Sequence, residues 1–424
     1  MSKLLKNVAS LGVVQLVNYV FPLITVPYIS RIIGPEGYGI INYATAFVAY
    51  FVLLVGYGFD LTATRRIALD PNDLLGRNKV FSEVINARVI LLMLSFLLFL
   101  LAILFLEPIK KDIRVSLLLF ITCLSTILTP QFIYQGLQEL SIFAKVNFVK
   151  GLISTILVFM IIKNPDDYIW LITINVSVGL LMSIFFLLHA FKKFKLKFNL
   201  IAPRDTFILL WNERMIFLST IVVSLYTTTN TVLLGFFDSI DNVGYFTTSQ
   251  SFLTIITTVL TVPLATALFP YIGTSFSISR EQGLDIVSKI LPIVFYIVTF
   301  SCLGLWLFSP FLVSFLYGGK FNNSILPLQI MSLLPLIICL SNMFGIQVML
   351  NLGLDRLFFK ITAICSILGL TCNVFMSKYW GYIGTAWNIV IIESIVTTVM
   401  YISLKRIGVD ILPTDISGKF GTMY

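Results

Sequence analysis

The residues best suited to chemistry in this sequence are charged side chains inside long apolar runs. Glu393 lies about ten residues from either end of one run, and Asp60 lies a few residues inside another. Arg88 and Lys150 stand in the first turns of two more. A charge in such surroundings costs several kcal/mol unless it faces a partner or a polar cavity. Charges near the ends of a run can also snorkel to the interface. Glu393 cannot, and it is either a cation-coupling carboxylate or a buried protonated carboxyl.

Uncharged polar residues recur in equivalent places in the two halves of the chain. Gln15 and Asn18 lie in the first apolar run, and Asn230 lies within the seventh. Such residues can make hydrogen bonds between helices. They can also line a polar central cavity, and we favour this interpretation because they recur in both halves.

The composition shows what kind of scaffold must hold these residues. Of 424 residues, 58% are hydrophobic and 12% are charged. A membrane-spanning helix takes about 20 apolar residues, so the composition favours about twelve spans and excludes a soluble enzyme or a large soluble domain. The five cysteines lie in apolar stretches without metal-ligand spacing, and the single histidine excludes a multi-histidine metal site. We expect no cofactor.

Twelve membrane-spanning helices are predicted from continuous apolar runs, which gives an all-α polytopic membrane protein. The predicted spans are residues 8–30, 40–63, 81–106, 115–137, 146–162, 168–190, 215–236, 245–272, 289–313, 325–351, 358–376 and 383–403. The tenth is interrupted by Pro327 and Pro335. The sequence Gly34-Pro35-Glu36-Gly37-Tyr38-Gly39 predicts a tight turn between the first two spans.

Basic residues set the predicted orientation. With the N-terminus in the cytoplasm, 22 of the 29 lysines and arginines lie on the cytoplasmic side. This asymmetry follows the positive-inside rule and predicts that both termini are cytoplasmic. The net charge of +9 therefore indicates membrane topology and contact with lipids rather than nucleic acid.

An internal repeat predicts two six-helix lobes. The stretch around Gly39 and Phe47 has an echo about 205 residues later, around Gly244 and Phe252. Six spans intervene, so both copies run in the same direction and a pseudo-twofold axis along the membrane normal follows. The predicted parts are an N-terminal lobe over residues 1–190, a basic cytoplasmic linker over 191–214, a C-terminal lobe over 215–404 and a cytoplasmic tail over 405–424.

The first third of the chain resembles the Wzx-type polysaccharide transporters of the MOP superfamily. The resemblance lies in the N-terminal stretch up to Gly39, in Gly56-Tyr57-Gly58-Phe59-Asp60 with the following residues to Ala68, and in Gln135-Gly136-Leu137-Gln138-Glu139. It implies a MOP/MATE-like fold and a flippase of the bacterial inner membrane. The implied substrate is an undecaprenyl-pyrophosphate-linked oligosaccharide, moved from the cytoplasmic to the periplasmic leaflet by alternating access with H⁺ or Na⁺ coupling. A polysaccharide polymerase and a chain-length regulator are the implied protein partners.

The resemblance also gives the charged residues roles. Arginine and lysine are the natural partners of a pyrophosphate in a low dielectric. The candidate cations are Arg31, Arg65, Arg66, Arg88, Lys145, Lys150 and Arg214. We expect Asp60 and Glu393 to exchange the coupling cation.

Two other classes of protein remain as alternatives. A multidrug exporter of the same superfamily would need acidic residues for cationic drugs, whereas the charges near the membrane are mostly basic. A membrane polymerase or glycosyltransferase would need a large outer loop or an Asp-x-Asp motif in a sizeable soluble segment, and the sequence offers neither.

Overall fold

The computed structural model describes residues 3–110 and 112–409. Side chains are described for these residues except at 3–20, 107–108, 223, 225–227 and 259–271. The predicted cavity residues Gln15 and Asn18 lie outside the described side chains.

The described chain is helical, as the apolar runs predict. The helices are α1 (Lys3–Gly56), α2 (Phe59–Leu69), α3 (Leu74–Phe105), α4 (Glu107–Lys110), α5 (Ile113–Phe120), α6 (Thr122–Leu128), α7 (Gln131–Gly136), α8 (Ser141–Ile161), α9 (Tyr168–Phe194), α10 (Pro203–Thr227), α11 (Thr229–Phe237), α12 (Ile240–Ile278), α13 (Arg280–Leu316), α14 (Ile325–Met331), α15 (Leu334–Asn342) and α16 (Asp355–Arg406). Short 3₁₀ segments cover Pro165–Asp167 and Gly319–Ser324, and a π-helix covers Met343–Met349.

The helices fall where the spans are predicted. Within the described residues, eight helical stretches are long and apolar enough to cross a membrane. Two of these, Phe21–Leu69 and Asp355–Arg406, overlap two predicted spans each, and the seventh and eighth spans correspond to α10–α11 and α12. Large apolar side chains such as Met93, Leu97 and Phe300 are exposed on these helices, as lipid-facing residues are.

Two glycines divide the longest helices at the predicted span boundaries. Gly34 has φ 68° and ψ −178° within α1, and Gly381 has φ 56° and ψ −142° within α16. L-residues with a side chain rarely adopt such angles, so glycine allows the chain to turn at a single residue. The predicted multi-residue turn at 34–39 is therefore a break at Gly34, and the helix resumes at Pro35, whose fixed φ suits a first helical turn.

The tenth span is broken, as its prolines predict. Its first part is α14, which ends at Met331. Its second part is α15, which has Pro335 in its first turn. It continues as the π-helix Met343–Met349, where the Leu350 amide donates to the Gly345 carbonyl five residues earlier. Local π-helical turns often accompany functional sites.

Contacts divide the chain into two compact units. The first comprises Met1–Gly244 and Phe315–Phe321, and the second comprises Tyr245–Ser314 and Asn322–Tyr424. The seventh span therefore packs with the first unit. The predicted lobes, which rest on the internal repeat, stay a prediction.

The core of the first unit gathers the ends of α2, α3, α7 and α9. Phe59, Phe81, Phe132 and Ala190 are buried in one apolar cluster. The basic linker is fastened beside it: the Lys197 amide donates to Asn78 Oδ1 at 3.0 Å. Asn199 makes two hydrogen bonds to α3. Its amide donates to the Ser82 hydroxyl at 3.0 Å, and its carbonyl accepts from Asn86 Nδ2 at 3.0 Å. The linker is thus held along α3.

Gly136 marks the closest approach of α7 to α2, and it gives the first prediction. A Cβ there would lie 2.7 Å from Ile67 Cγ2 and 3.2 Å from the Thr64 carbonyl oxygen. We expect Gly136→Ala to cost about 1–3 kcal/mol through overpacking, and to lower the melting temperature of the detergent-solubilised protein in heated size-exclusion runs. Gly56→Ala is the control, because nothing lies within 4 Å of the added Cβ. Equal melting temperatures for the two variants would contradict this packing.

Candidate functional site

Arg88 is fully buried and paired. Its guanidinium donates to Asp60 Oδ1 at 3.0 Å and to the Thr126 carbonyl at 3.0 Å. It also lies 5.5 Å from the centre of the Phe132 ring. The Arg88 side chain is 0% exposed, whereas that of Asp60 is 42% exposed. The structure therefore brings a predicted anion-binding residue and a predicted coupling residue together as one ion pair, which joins α3 to α2.

Three other predicted cations also have partners in the first unit. Arg66 donates to Glu83 Oε2 at 2.6 Å. Arg31 is exposed and donates to the Phe315 carbonyl at 2.5 Å. Arg214 donates to the Trp211 carbonyl and stacks on that indole at 4.2 Å. Their charges are engaged either by a carboxylate or by backbone carbonyl dipoles.

The remaining predicted cations have no hydrogen-bond or ion-pair partner among the described residues, and they differ in exposure. Arg65 and Lys145 are exposed, so water solvates them. Lys150 is only partly exposed, and no residue in the described part of the chain makes a hydrogen bond or ion pair with its ammonium. Lys150 is therefore the candidate whose charge lacks a protein partner although it lies within the bundle.

Lys150 lines a cavity of about 350 Å³ within the first unit. The walls come from α1, α8 and α9, and the lining side chains are mostly aliphatic, hydroxyl or amide. The described lining contains no carboxylate; its polar members are Thr25, Tyr38, Asn42, Asn147, Lys150, Ser154, Thr155 and Asn175. A volume above about 300 Å³ is in the range of small-molecule sites. One cation among neutral donors and acceptors suits an anionic or sugar-like ligand.

Helical spacing explains how α8 presents this polar stripe. One face of α8 carries Asn147, Lys150 and Ser154, which are spaced three and four residues apart, and Thr155 follows directly. The Ser154 hydroxyl is buried and has no hydrogen-bond partner. A buried orphan hydroxyl beside an unpaired cation is a further sign of a ligand site.

Two glycines lie at helix contacts near this cavity: Gly151 faces Phe21 of α1, and Gly179 of α9 faces Lys150. A Cβ at Gly151 would overlap the Phe21 ring of α1, and a Cβ at Gly179 of α9 would lie 3.8 Å from Lys150 Nζ. The lysine therefore reaches across to α9.

A larger cavity of about 890 Å³ lies beside the linker. Its lining mixes charges of both signs, namely Arg66, Lys79, Glu83, Lys197, Asp205 and Glu213. Because the carboxylates offset the cations, this cavity lacks the net positive character that an anion site needs.

Glu393 is buried in the second unit. It is 9% exposed on α16, and within the described residues no side chain or amide donates to its carboxylate. One turn later, Thr397 Oγ1 lies 2.8 Å from the Glu393 carbonyl and 3.3 Å from the Ile337 carbonyl of α15. The predicted depth of Glu393 agrees with this burial, and its coupling role stays a prediction.

Asn230 is buried on α11 in the first unit. Its neighbour Thr229 shares a 2.5 Å hydrogen bond with the Tyr50 hydroxyl of α1. This segment thus supplies polar contacts between helices, whereas cavity lining by Asn230 stays a prediction.

Sequence reasoning missed the partners of these residues. Asp60 and Arg88 are 28 residues apart, and no local spacing predicts their pairing. Asn147 and Ser154 were also missed, although their helical spacing from Lys150 could have shown that one face of α8 is polar.

The fold is shared with solved transporters. The lipid II flippase MurJ in an inward closed conformation matches with a TM-score of 0.70 at 16% identity, covering 95% of this chain and 87% of that chain. An inward-facing multidrug resistance MATE family transporter of the MOP superfamily matches with a TM-score of 0.69 at 12% identity, covering 94% and 97%. At these identities the likeness shows the fold alone. The predicted fold class is confirmed: this is a multi-pass membrane protein with a MOP-like transporter fold.

Sequence comparison identifies the family. Residues 4–276 match the family described as "Polysaccharide biosynthesis protein". This match covers more than half of the chain, so the protein belongs to that family, and the family predicted from the N-terminal motifs is confirmed.

Two curated relatives span nearly the whole chain. A protein of Escherichia coli (strain K12) named "Putative O-antigen transporter" is 29% identical over 405 residues, covering 95% of this chain and 96% of the relative. A protein of the same name from Shigella dysenteriae is 25% identical over 414 residues, covering 94% and 100%. The prediction of a transporter rather than an enzyme is thereby confirmed.

The Arg88–Asp60 pair gives the second prediction. Asp60→Asn would strand a buried cation, with a cost of up to about 3 kcal/mol, because breaking a fully buried pair costs about 3–5 and the Asn oxygen can still accept a hydrogen bond. In an Arg88→Met background the same substitution should have little effect. Melting temperatures of the four proteins measure this coupling. Additive losses would show that the pair does not stabilise the fold.

Proposed function

We propose that this protein is a flippase for lipid-linked oligosaccharide repeat units of O-antigen type. The substrate is an oligosaccharide on undecaprenyl pyrophosphate, and it moves from the cytoplasmic to the periplasmic leaflet by alternating access. Family membership and the names of the two relatives support the substrate class. The transporter fold supports the mode of transport.

The unpaired Lys150 in its cavity is the observation that carries the proposal. An ammonium in a low dielectric needs a counter-charge, and the described cavity walls offer none. A phosphate oxygen would supply that charge and form a charge-assisted hydrogen bond. The neighbouring hydroxyl and amide groups can donate to or accept from the phosphate or the sugar attached to it.

The same cavity argues against a multidrug exporter. Organic cations would need a carboxylate, and the described lining contains a lysine instead. We therefore keep the exporter only as the alternative that the experiments below also test.

The proposed location is the bacterial inner membrane, with both termini in the cytoplasm. The excess of lysine and arginine on one side supports this orientation. A polymerase and a chain-length regulator that receive the flipped unit are the proposed protein partners.

The third prediction concerns Lys150. Lys150→Ala should reduce surface polysaccharide about tenfold or more in the native host lacking its own gene, because a hydrogen bond to a charged group contributes about 1.5–3 kcal/mol. Lys150→Arg should retain part of the export, since it keeps the charge. Polysaccharide on gels, normalised to protein in the membrane, measures the effect.

Lys289→Ala is the matched control for that experiment. Lys289 is an exposed lysine that pairs with Asp285 one turn away on α13, so its loss should leave export unchanged. Full export by Lys150→Ala would reject the anion site. Failure of the wild type to restore polysaccharide, with resistance to cationic drugs instead, would favour the exporter.

The fourth prediction tests Glu393 as the coupling carboxylate. Glu393→Gln keeps the volume and removes the exchangeable charge, so we expect export to fall and to become insensitive to a protonophore or a sodium ionophore. Glu281→Gln, at an exposed position of α13, is the control. If Glu393→Gln exports normally and keeps the ionophore sensitivity of the wild type, Glu393 is only a buried structural carboxyl.

A further inference from the structure

Gly39 and Gly244 allow the start of α12 to contact the part of α1 that follows the break at Gly34. A Cβ at Gly39 would overlap the carbonyl oxygen of Ile240, lie 2.9 Å from its carbonyl carbon and lie 3.1 Å from the Gly244 nitrogen. A Cβ at Gly244 would overlap the carbonyl oxygen of Pro35, lie 3.1 Å from its carbonyl carbon and lie 3.2 Å from the Gly39 nitrogen. Backbone atoms cannot swing away as a side chain can, so neither position has room for a methyl group.

The contact is reciprocal, and it follows the internal repeat. Gly244 comes 205 residues after Gly39, and Ile240 comes 205 residues after Pro35. Gly39 therefore faces the carbonyl four residues before Gly244, and Gly244 faces the carbonyl four residues before Gly39. Two equivalent patches that meet face to face in this way lie across a local twofold axis. The pseudo-twofold predicted from the sequence thus runs between Gly39 and Gly244.

Other contacts lie around the break of α1 at Gly34. Arg31 holds the Phe315 carbonyl, and the Tyr38 ring meets Tyr317 at 5.8 Å and Phe321 at 5.9 Å, edge to face in both pairs. All the segments involved belong to turns predicted to lie on the outer side: the turn between spans one and two, the turn between spans seven and eight, and the turn between spans nine and ten. These outer turns are packed together within the first unit.

The contact stands next to the Lys150 cavity. Tyr38 and Asn42 line that cavity, and they flank Gly39 along α1. One wall of the cavity therefore lies within a helical turn of Gly39.

We propose that Gly39 and Gly244 are the positioning residues that close the outer side of the transporter, and that their missing side chains set how firmly it closes. The two backbones approach without intervening side chains, as small residues permit between membrane helices. This inference rests on the proposed alternating access. The contact must form after each release and separate before the next.

A labelling experiment tests the closure directly. In a cysteine-free chain that retains transport, Asn42→Cys reports access from outside to a membrane-impermeant maleimide applied to spheroplasts. We expect Gly39→Ala and Gly244→Ala each to raise the labelling rate by about 5- to 150-fold, the shift in a two-state ratio that an overpacked contact produces. Surface polysaccharide, measured without the reporter, should fall in both variants.

Gly56→Ala is the matched control, because it lies on the same helix and its added Cβ meets nothing within 4 Å. It should change neither the labelling nor the polysaccharide. A Gly39→Ala or Gly244→Ala protein that is present at normal levels and labels at the parental rate would overturn the proposal. A merely structural role would lower the amount of protein without a directional change in labelling.

A second measurement covers the case in which the alanine variants do not accumulate. Glu36→Cys with Asp241→Cys places thiols next to the two contact carbonyls while both glycines remain. A short bis-methanethiosulfonate, which forms a disulfide with each cysteine and releases methanesulfinate, should then stop export, and reduction of the disulfides should restore it. Unchanged export by fully cross-linked protein would overturn the proposal. If the parent fails to restore polysaccharide, the proposed function fails, while the labelling still tests the closing contact.

Discussion

The constraint on which this structure depends is the neutralisation of charge inside an apolar helical bundle. Arg88 shows how this is done. Its guanidinium is fully buried, and a carboxylate, a backbone carbonyl and an aromatic face surround it. Since removing a guanidinium from water is expensive, these partners must be held in position. The pair therefore fixes α3 against α2, and the carbonyl of Thr126 ties both to the end of α6.

This constraint separates structural from functional charges by their partners rather than by their depth. Arg88 is more deeply buried than Lys150, yet the charge of Arg88 is paired with a carboxylate, whereas no described residue pairs with Lys150. In the second unit Glu393 is buried without a described donor. Arg88 shows that this fold can surround a buried charge with protein partners. The cation and the carboxylate that it leaves unpaired are therefore the best candidates for groups that a substrate or an ion completes.

Hydropathy predicts most of this fold because the bilayer forces each span to be a continuous apolar helix. The spans, the turn at Gly34 and the interrupted tenth span all follow from local sequence. The pairing of Arg88 with Asp60 does not, because it depends on how α2 packs beside α3. The predicted list of cations was correct in residue type, but sequence could not distinguish the paired Arg66 and Arg88 from the unpaired Lys150, since that distinction is made by neighbours distant in sequence.

The internal repeat is faint for a related physical reason. Lipid-facing positions accept many apolar side chains, so two copies of a repeated span would diverge there at little cost. A position where one backbone touches another accepts only glycine, and the restriction acts on both partners at once. Gly39 and Gly244 satisfy that restriction across 205 residues. This part of the predicted repeat therefore coincides with a contact between two backbones, which accounts for the glycine at both positions.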